Sequence, residues 1–204
     1  MSDAPKPRNR RADYAEMTRQ AIVDAARSLY ASKGFFATTV EEIAAQARVA
    51  PATVYASGGG KHGLLRILID QWQTAPVIES TYRQIADLDD GKAIVAATAL
   101  GTRRVREEWG DVVRVARATA PHDPGVADLL SGVTANYRHG LGLAAQRLTE
   151  VGALRDQIDL QAATDILWFY FGYSSYSTLT DENGWNLAQA EQWLNERACA
   201  ALLR

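Results

Sequence analysis

An all-α fold is predicted by three features of the 204-residue sequence. Apolar residues recur at helical spacing along its length. Convincing strand-like alternation is absent. The breaks between periodic stretches fall at glycine or proline. Ile22, Ala26, Leu29 and Tyr30 mark a first helix that ends at Lys33-Gly34. Val40, Ile43, Ala44 and Ala47 mark a second, opened by Thr38 or Thr39 with Glu41 or Glu42 three residues on as a capping box. Arg48-Val49 form a short turn, and Pro51 takes the first position of a third helix, about Pro51 to Ser57. A glycine triplet stops it, since glycine costs about 1 kcal/mol inside a helix. Lys61 opens a long fourth helix through Leu64, Leu65, Leu68, Ile69 and Trp72. Beyond Pro76 the pattern predicts helices near 91–108, 111–119, 125–151, 159–179 and 186–203, with boundaries at Pro121, Pro124 and Gly152 and a turn at 181–184.

Charge divides the chain more sharply than its net value of -2 implies. Residues 1–66 carry ten Lys/Arg against six Asp/Glu, whereas residues 67–204 carry twelve against eighteen. A basic front and an acidic back predict two functions in one chain. The expected organisation is a basic flexible arm over 1–12, a compact domain over 13–66 and a larger helical domain over 67–204. The arm, with Arg10 and Arg11, is either a solvated tail or an element that meets DNA phosphates or a minor groove. A single cysteine, Cys199, rules out an internal disulfide framework. With no apolar leader segment and no run of 18 apolar residues, a soluble cytoplasmic protein is expected.

Gly58-Gly59-Gly60-Lys61 invites comparison with a phosphate-binding loop. The comparison fails: His62 stands where such a loop needs Ser or Thr, Tyr55 stands at its leading glycine, and no strand precedes it. The segment fits better as the join after a helix-turn-helix, two helices linked by a tight turn. In that arrangement the second helix presents its N-terminal residues to base edges. Pro51 and Ala52 are small enough for close approach, Thr53 and Tyr55 supply hydroxyls, and Lys61 brings a cation toward a phosphate. Thr39 and Arg48 complete the candidate DNA contacts.

The stretch TRQAIVDAARSLYASKGFFATTVEEIAAQARVAPATVYASGGGKHGLL resembles the N-terminal domain of TetR-family transcriptional regulators. The resemblance rests on Gly34-Phe35, Thr38-Thr39-Val40, Ile43-Ala44, Ala47, Val49, Thr53-Val54-Tyr55, Lys61 and Leu64-Leu65 at matching spacing, and covers about residues 18–66. Three positions depart from the pattern. Arg48 replaces the usual turn glycine, at a cost of order 1 kcal/mol or more if the backbone there is left-handed, and adds a cation near the DNA. Ala50 replaces the usual Ser or Thr cap, losing about 1 kcal/mol. Gly58 replaces an aromatic, which implies a looser join between the third and fourth helices.

The resemblance implies a C-terminal domain that binds a ligand and dimerises through its last two helices. ATDILWFYFGYSSYSTL is apolar nearly all round, and Leu187, Ala190, Trp193, Leu194 and Leu202 offer a second face. These segments fit either a dimer or a monomeric core. Trp72, Arg103, Trp109, His122, Tyr137 and Trp168 are candidate effector-pocket residues; the aromatics are equally suited to packing the core. An inward arginine from Arg103-Arg104-Arg106 would suit an anionic effector, although with Glu107-Glu108 the cluster reads as a solvated face. His122 and His139 lack partners at metal spacing, and neither a metal nor a cofactor is expected. The sequence therefore predicts a homodimeric DNA-binding regulator, a repressor released from a palindromic operator by a small molecule, with no membrane association. The alternative is an effector-independent DNA-binding protein acting in chromosome organisation. An enzyme is not expected, because no nucleophile–base pair or cofactor loop survives inspection.

Overall fold

The computed structural model describes residues 10–204, the side chain of Arg11 excepted. Residues 1–9 of the basic arm and the predicted Arg11 contact lie outside the described residues. Ten α-helices follow in order: α1 (Arg10–Lys33), α2 (Val40–Ala47), α3 (Pro51–Gly58), α4 (Gly60–Gln73), α5 (Pro76–Ala86), α6 (Gly91–Thr119), α7 (Pro124–Glu150), α8 (Leu160–Phe171), α9 (Tyr173–Ser177) and α10 (Leu187–Leu202). A 3-10 turn covers Ala120–His122 and a π-helical turn covers Thr178–Glu182. Among the described residues there is no β-strand, and no helix is long and apolar enough to cross a membrane. Arg10, expected in a flexible arm, lies in the first turn of α1.

The chain gathers into two compact units. The first holds the described residues up to Gln71 together with Asp111–Ala127, and the second holds Trp72–Gly110 and Asp128–Arg204. The first unit is built on Ile22, Val23, Ala26 and Tyr30 of α1, Ile43 and Ala44 of α2, Val54 of α3, and Leu64, Leu65, Leu68 and Ile69 of α4, all buried. Most of these are positions that the helical spacing marks; Val23 and Val54 are additions to it, and the marked Leu29 and Ala47 are only half-buried. The end of α6 is tied into this unit by a two-pronged ion pair. Arg27 donates from Nε to Asp111 Oδ2 at 2.7 Å and from Nη2 to Oδ1 at 2.8 Å. Burial is the largest single influence on Asp111 and opposes its charge, but the Arg27 guanidinium and backbone N–H groups together hold the carboxyl below its usual range. A depressed carboxyl contributes stability that is present above its unfolded pKa and lost as pH falls through the folded one. Asp111→Asn should therefore remove about 1 kcal/mol at neutral pH, a value between exposed and buried pairs. It should also flatten the acid limb of a stability–pH curve from urea melts.

The second unit packs Ile94 and Val95 of α6, Leu141, Ala145 and Leu148 of α7, Leu167 and Phe171 of α8, and Leu194, Ala198 and Leu202 of α10 into one core. Three of its elements differ from the sequence reading. Helix α5 was not anticipated. Ile85 is its one buried residue, so its apolar period is thin. It is seated instead by glycines on its neighbours: an added Cβ at Gly101 would meet Thr81 and one at Gly140 would meet Tyr82. Helix α6 runs through Gly110, where a break was expected. One glycine costs about 1 kcal/mol in a helix, and the buried Trp109, Val112, Val113 and Ala116 around it offset that cost. Conversely, the single helix expected over 159–179 breaks at Gly172. An added Cβ there would lie 2.4 Å from the Trp168 carbonyl oxygen.

Candidate nucleic-acid interface

Helix α2 begins with Thr39. Its hydroxyl accepts from the Glu42 N–H at 3.2 Å, while Glu42 Oε2 accepts from the Thr39 N–H at 2.9 Å. Of the alternatives in the sequence, the capping box thus uses Thr39 and Glu42. Thr38 is buried and donates to the Gly34 carbonyl at 2.8 Å. Lys33 donates to Glu42 as well, and this pair with the cap draws the Glu42 carboxyl below its usual range. Sequence reasoning treated Lys33 only as a helix end; its place beside the α2 N-terminus adds a cation to the candidate surface.

The turn between α2 and α3 is left-handed at Arg48, with φ 58° and ψ 43°. The Val49 N–H reaches back to the Ala44 carbonyl at 2.9 Å and the Arg48 N–H to that of Ala45 at 3.2 Å, closing the end of α2. Arg48 is the one non-glycine residue with positive φ among the described residues, and its side chain is exposed. Arg48→Gly should raise stability by about 1 kcal/mol in thermal unfolding, and the loss of a cation should lower the salt dependence of DNA binding by about one ion. Helix α3 then starts at Ala50, which makes no side-chain cap bond, with Pro51 following. Ala50→Ser should supply the missing cap and stabilise by about 1 kcal/mol, measured as a rise in urea midpoint without a change in slope.

Helix α3 turns Val54 inward and leaves Pro51, Ala52, Tyr55 and Ala56 exposed, with Thr53 half-buried. Tyr55 is 58% exposed. The glycine triplet that follows is a steric device. Gly59 and Gly60 have φ 69° and 75°, and the Gly59 N–H caps α3 on the Tyr55 carbonyl at 2.9 Å. An added Cβ at Gly60 would sit 3.0 Å from Tyr55 Cε1, so this glycine makes room for the flank of the tyrosine ring. Gly58 ends α3 packed on Leu64. The join is close where the missing aromatic implied a loose one.

Lys61 follows directly. Its backbone carbonyl accepts from the buried Tyr30 hydroxyl at 2.9 Å. Its ammonium sits 4.8 Å over the Phe35 ring and donates to the Phe36 carbonyl at 3.4 Å. Burial, then repulsion from Lys33, lowers its pKa. In this structure Lys61 therefore lies along its own chain beside the α2 N-terminus. Thr39, Lys33 and Lys61 form one cluster, with the exposed α3 residues and Arg48 on the same pair of helices. Arg10 is exposed on α1.

Five of the six candidate effector residues lie in the second unit. Trp72 is buried against Tyr173 with ring centroids 6.2 Å apart; Tyr137 meets Trp168 at 5.5 Å and Tyr173 at 5.8 Å. Trp109 is buried. Arg103 pairs with Glu107 at 3.3 Å, as the helical spacing predicts, and also with Glu191 of α10. His122 does not join them. It belongs to the first unit, exposed, with its ring centroid 6.0 Å from that of Phe36 in an edge-on arrangement. Arg103 and Arg106 are both half-buried, and Arg106 is the one that meets backbone carbonyls instead of a carboxylate. It donates from Nη2 to the carbonyls of Phe171 at 3.2 Å and Gly172 at 2.9 Å, at the α8–α9 break.

Residues 22–67 match the family model described as bacterial regulatory proteins, tetR family. An uncharacterised HTH-type transcriptional regulator, YvkB of Bacillus subtilis (strain 168), is 43% identical over 54 residues, which are 26% of this chain and 29% of that protein. The aligned stretch thus spans under a third of that relative. The fold matches over nearly the whole chain. NalD, the secondary repressor of the MexAB-OprM multidrug efflux pump in Pseudomonas aeruginosa, superposes with a TM-score of 0.74 at 18% identity, covering 94% of this chain and 98% of that one. The SmeT–triclosan complex gives a TM-score of 0.74 at 18% identity, covering 92% of each chain.

Proposed function

We propose that this chain, which belongs to the tetR family of bacterial regulatory proteins through its N-terminal domain, is a homodimeric, sequence-specific DNA-binding regulator in the cytoplasm. It acts as a repressor that a small molecule releases from a palindromic operator. The observation that carries this reading is the exposed face of α3, where Pro51, Ala52 and Tyr55 stand clear of the core that Val54 enters. A helix held from one side, with small residues at its start, is suited to enter a major groove and bring a tyrosine hydroxyl to base edges. Thr39 and Lys61, at the starts of the flanking helices, would hold phosphates together with Lys33 and Arg48. Contact requires Lys61 to swing from the Phe36 carbonyl, a bond of 3.4 Å that a phosphate oxygen readily replaces.

Dimerisation is supported by apolar side chains left in water on α8 and α10. Phe169 is 70% exposed, Leu160 45% and Trp193 41%. Pairing these helices with their copies buries them and relates two reading helices by a two-fold axis. The aromatic cluster of the second unit, with Trp72, Tyr137 and Trp168, supports a ligand site. A ligand releases DNA only to the extent that it binds the non-DNA-binding state better.

The test is selection of bound duplexes from a random library at several salt concentrations. An enriched palindrome bound at least a thousandfold tighter than non-specific DNA is expected, on the usual specificity range. Binding that falls with salt but enriches no sequence would contradict the reading.

A further inference from the structure

Helix α8 stops at Gly172, and side chains take the carbonyls that it releases. Tyr137 donates its hydroxyl to the Phe171 carbonyl at 2.6 Å, and Arg106 donates to both Phe171 and Gly172. The other half-buried arginines of this unit differ in kind. Arg103 meets Glu191 and Glu107, Arg138 meets Asp165, and Arg147 meets Glu150. Arg106 has no carboxylate within ion-pair reach among the described residues and rests on neutral acceptors through one nitrogen, Nη2. Its guanidinium carbon stands 4.3 Å over the ring of Tyr176. Tyr176 is 1% exposed, and its hydroxyl has no hydrogen-bond partner among the described residues. An unsatisfied buried hydroxyl destabilises a fold and calls for an explanation. A half-buried cation beside a buried donor without an acceptor is a pair of groups that one anion would satisfy.

We infer that the second unit recognises a monocarboxylate on an apolar or aromatic body, held by Arg106 and Tyr176 at the α8–α9 break. The inference rests on reading this unit as the ligand-binding domain. The planar fork of Arg106 matches a carboxylate, and a charged acceptor is stronger than the two carbonyls it displaces. A single charge is favoured over a phosphate dianion, because Arg103 and Glu191 pair with each other and Arg106 is left, among the described residues, as the one cation without a carboxylate partner at the site. The apolar body would pack on the neighbouring rings: Trp168 lies 5.5 Å from Tyr173, and both contact Tyr137. When Arg106 turns to the ligand, the Phe171 and Gly172 carbonyls lose its two hydrogen bonds. Binding is thus coupled to the geometry of the break and of the π-helical turn after it.

The full-length protein would be titrated with octanoate and benzoate, with octan-1-ol and benzyl alcohol as uncharged counterparts, and with choline. Tryptophan fluorescence and calorimetry report binding. At least one carboxylate should bind tenfold or more tightly than its own alcohol. Arg106→Gln should weaken that binding at least tenfold, and Arg106→Lys less. Tyr176→Phe should weaken it about fivefold while raising the melting temperature of the ligand-free protein, because the orphan hydroxyl is gone. A purely structural tyrosine would not link those two changes. If Arg106→Gln fails to fold, Tyr176→Phe decides. The inference is overturned if the alcohols bind as tightly as the carboxylates, if choline alone binds, if no carboxylate binds, or if Tyr176→Phe lowers the melting temperature or leaves affinity unchanged. The ligand-free duplex selection separates the two readings. An enriched palindrome without carboxylate binding overturns the ligand class alone. Carboxylate binding without enrichment overturns the regulator reading and leaves the site intact.

Discussion

Gly63→Ala is expected to lower the stability of the N-terminal unit by about 3 kcal/mol, at the upper end of the usual range for overpacking. The added Cβ would lie 1.9 Å from the Gly58 carbonyl oxygen and 2.9 Å from its carbon. Both partners are backbone, so no side chain can rotate out of the way. Relief requires α4 to move off the end of α3, which displaces the helix proposed to read DNA. Gly132→Ala on α7 is the matched control, since nothing lies within 4 Å of the added methyl. It should be neutral or stabilise by up to about 1 kcal/mol, as alanine favours a helix interior. Urea denaturation followed by circular dichroism would compare the two. Equal effects would show that α3 and α4 are not in the close contact described.

Tyr55→Ala is expected to weaken binding to a selected duplex by roughly 10- to 100-fold, the range of one good base contact. Its affinity for unrelated DNA, and the slope of that affinity with salt, should stay the same. The ring is 58% exposed and packs on Gly60 with one flank, so its removal leaves the core intact. Thr53→Ala should have a smaller effect, because Thr53 is half-buried. Anisotropy titration against the selected and a scrambled duplex separates loss of reading from loss of charge. An equal fall on both would place Tyr55 on a phosphate.

Helices α1 to α4 of the first unit were legible in the sequence because their signals are local; that Asp111–Ala127 joins them, held by the Arg27–Asp111 pair, was not. Helical spacing marked the buried faces of α1, α2 and α4, and Thr39, Pro51 and the glycines punctuated them at the right places. Arg48 was legible as a conditional: the expected cost applies if the turn is left-handed, and it is, at φ 58°. What the glycines do was less legible, since the contact of Gly63 with the Gly58 carbonyl depends on how two helices meet. The orientation of Lys61 was not legible either; the Phe35 ring and the Phe36 carbonyl that hold it come from the α1–α2 connection. In the second unit the signals that mattered are tertiary. Helix α5 is seated by glycines on other helices, and the Gly172 break is held by Arg106 and Tyr137 from α6 and α7. Periodicity along one segment carries no trace of either. Residue type alone groups His122 with the pocket aromatics, and the fold places it with Phe36 in the other unit.

The central claim is that two copies of α3, related by a two-fold axis, read two half-sites on one face of the duplex. Anisotropy titration of the wild-type protein should compare the selected palindrome with a version carrying about 5 extra base pairs between its halves, half a helical turn. The account predicts that the insertion turns one half-site away and drops affinity toward the non-specific level, while an insertion of about 10 base pairs restores part of it if the dimer can span the gap. Unchanged affinity with the half-turn insertion would contradict the account, because each head would then be binding on its own.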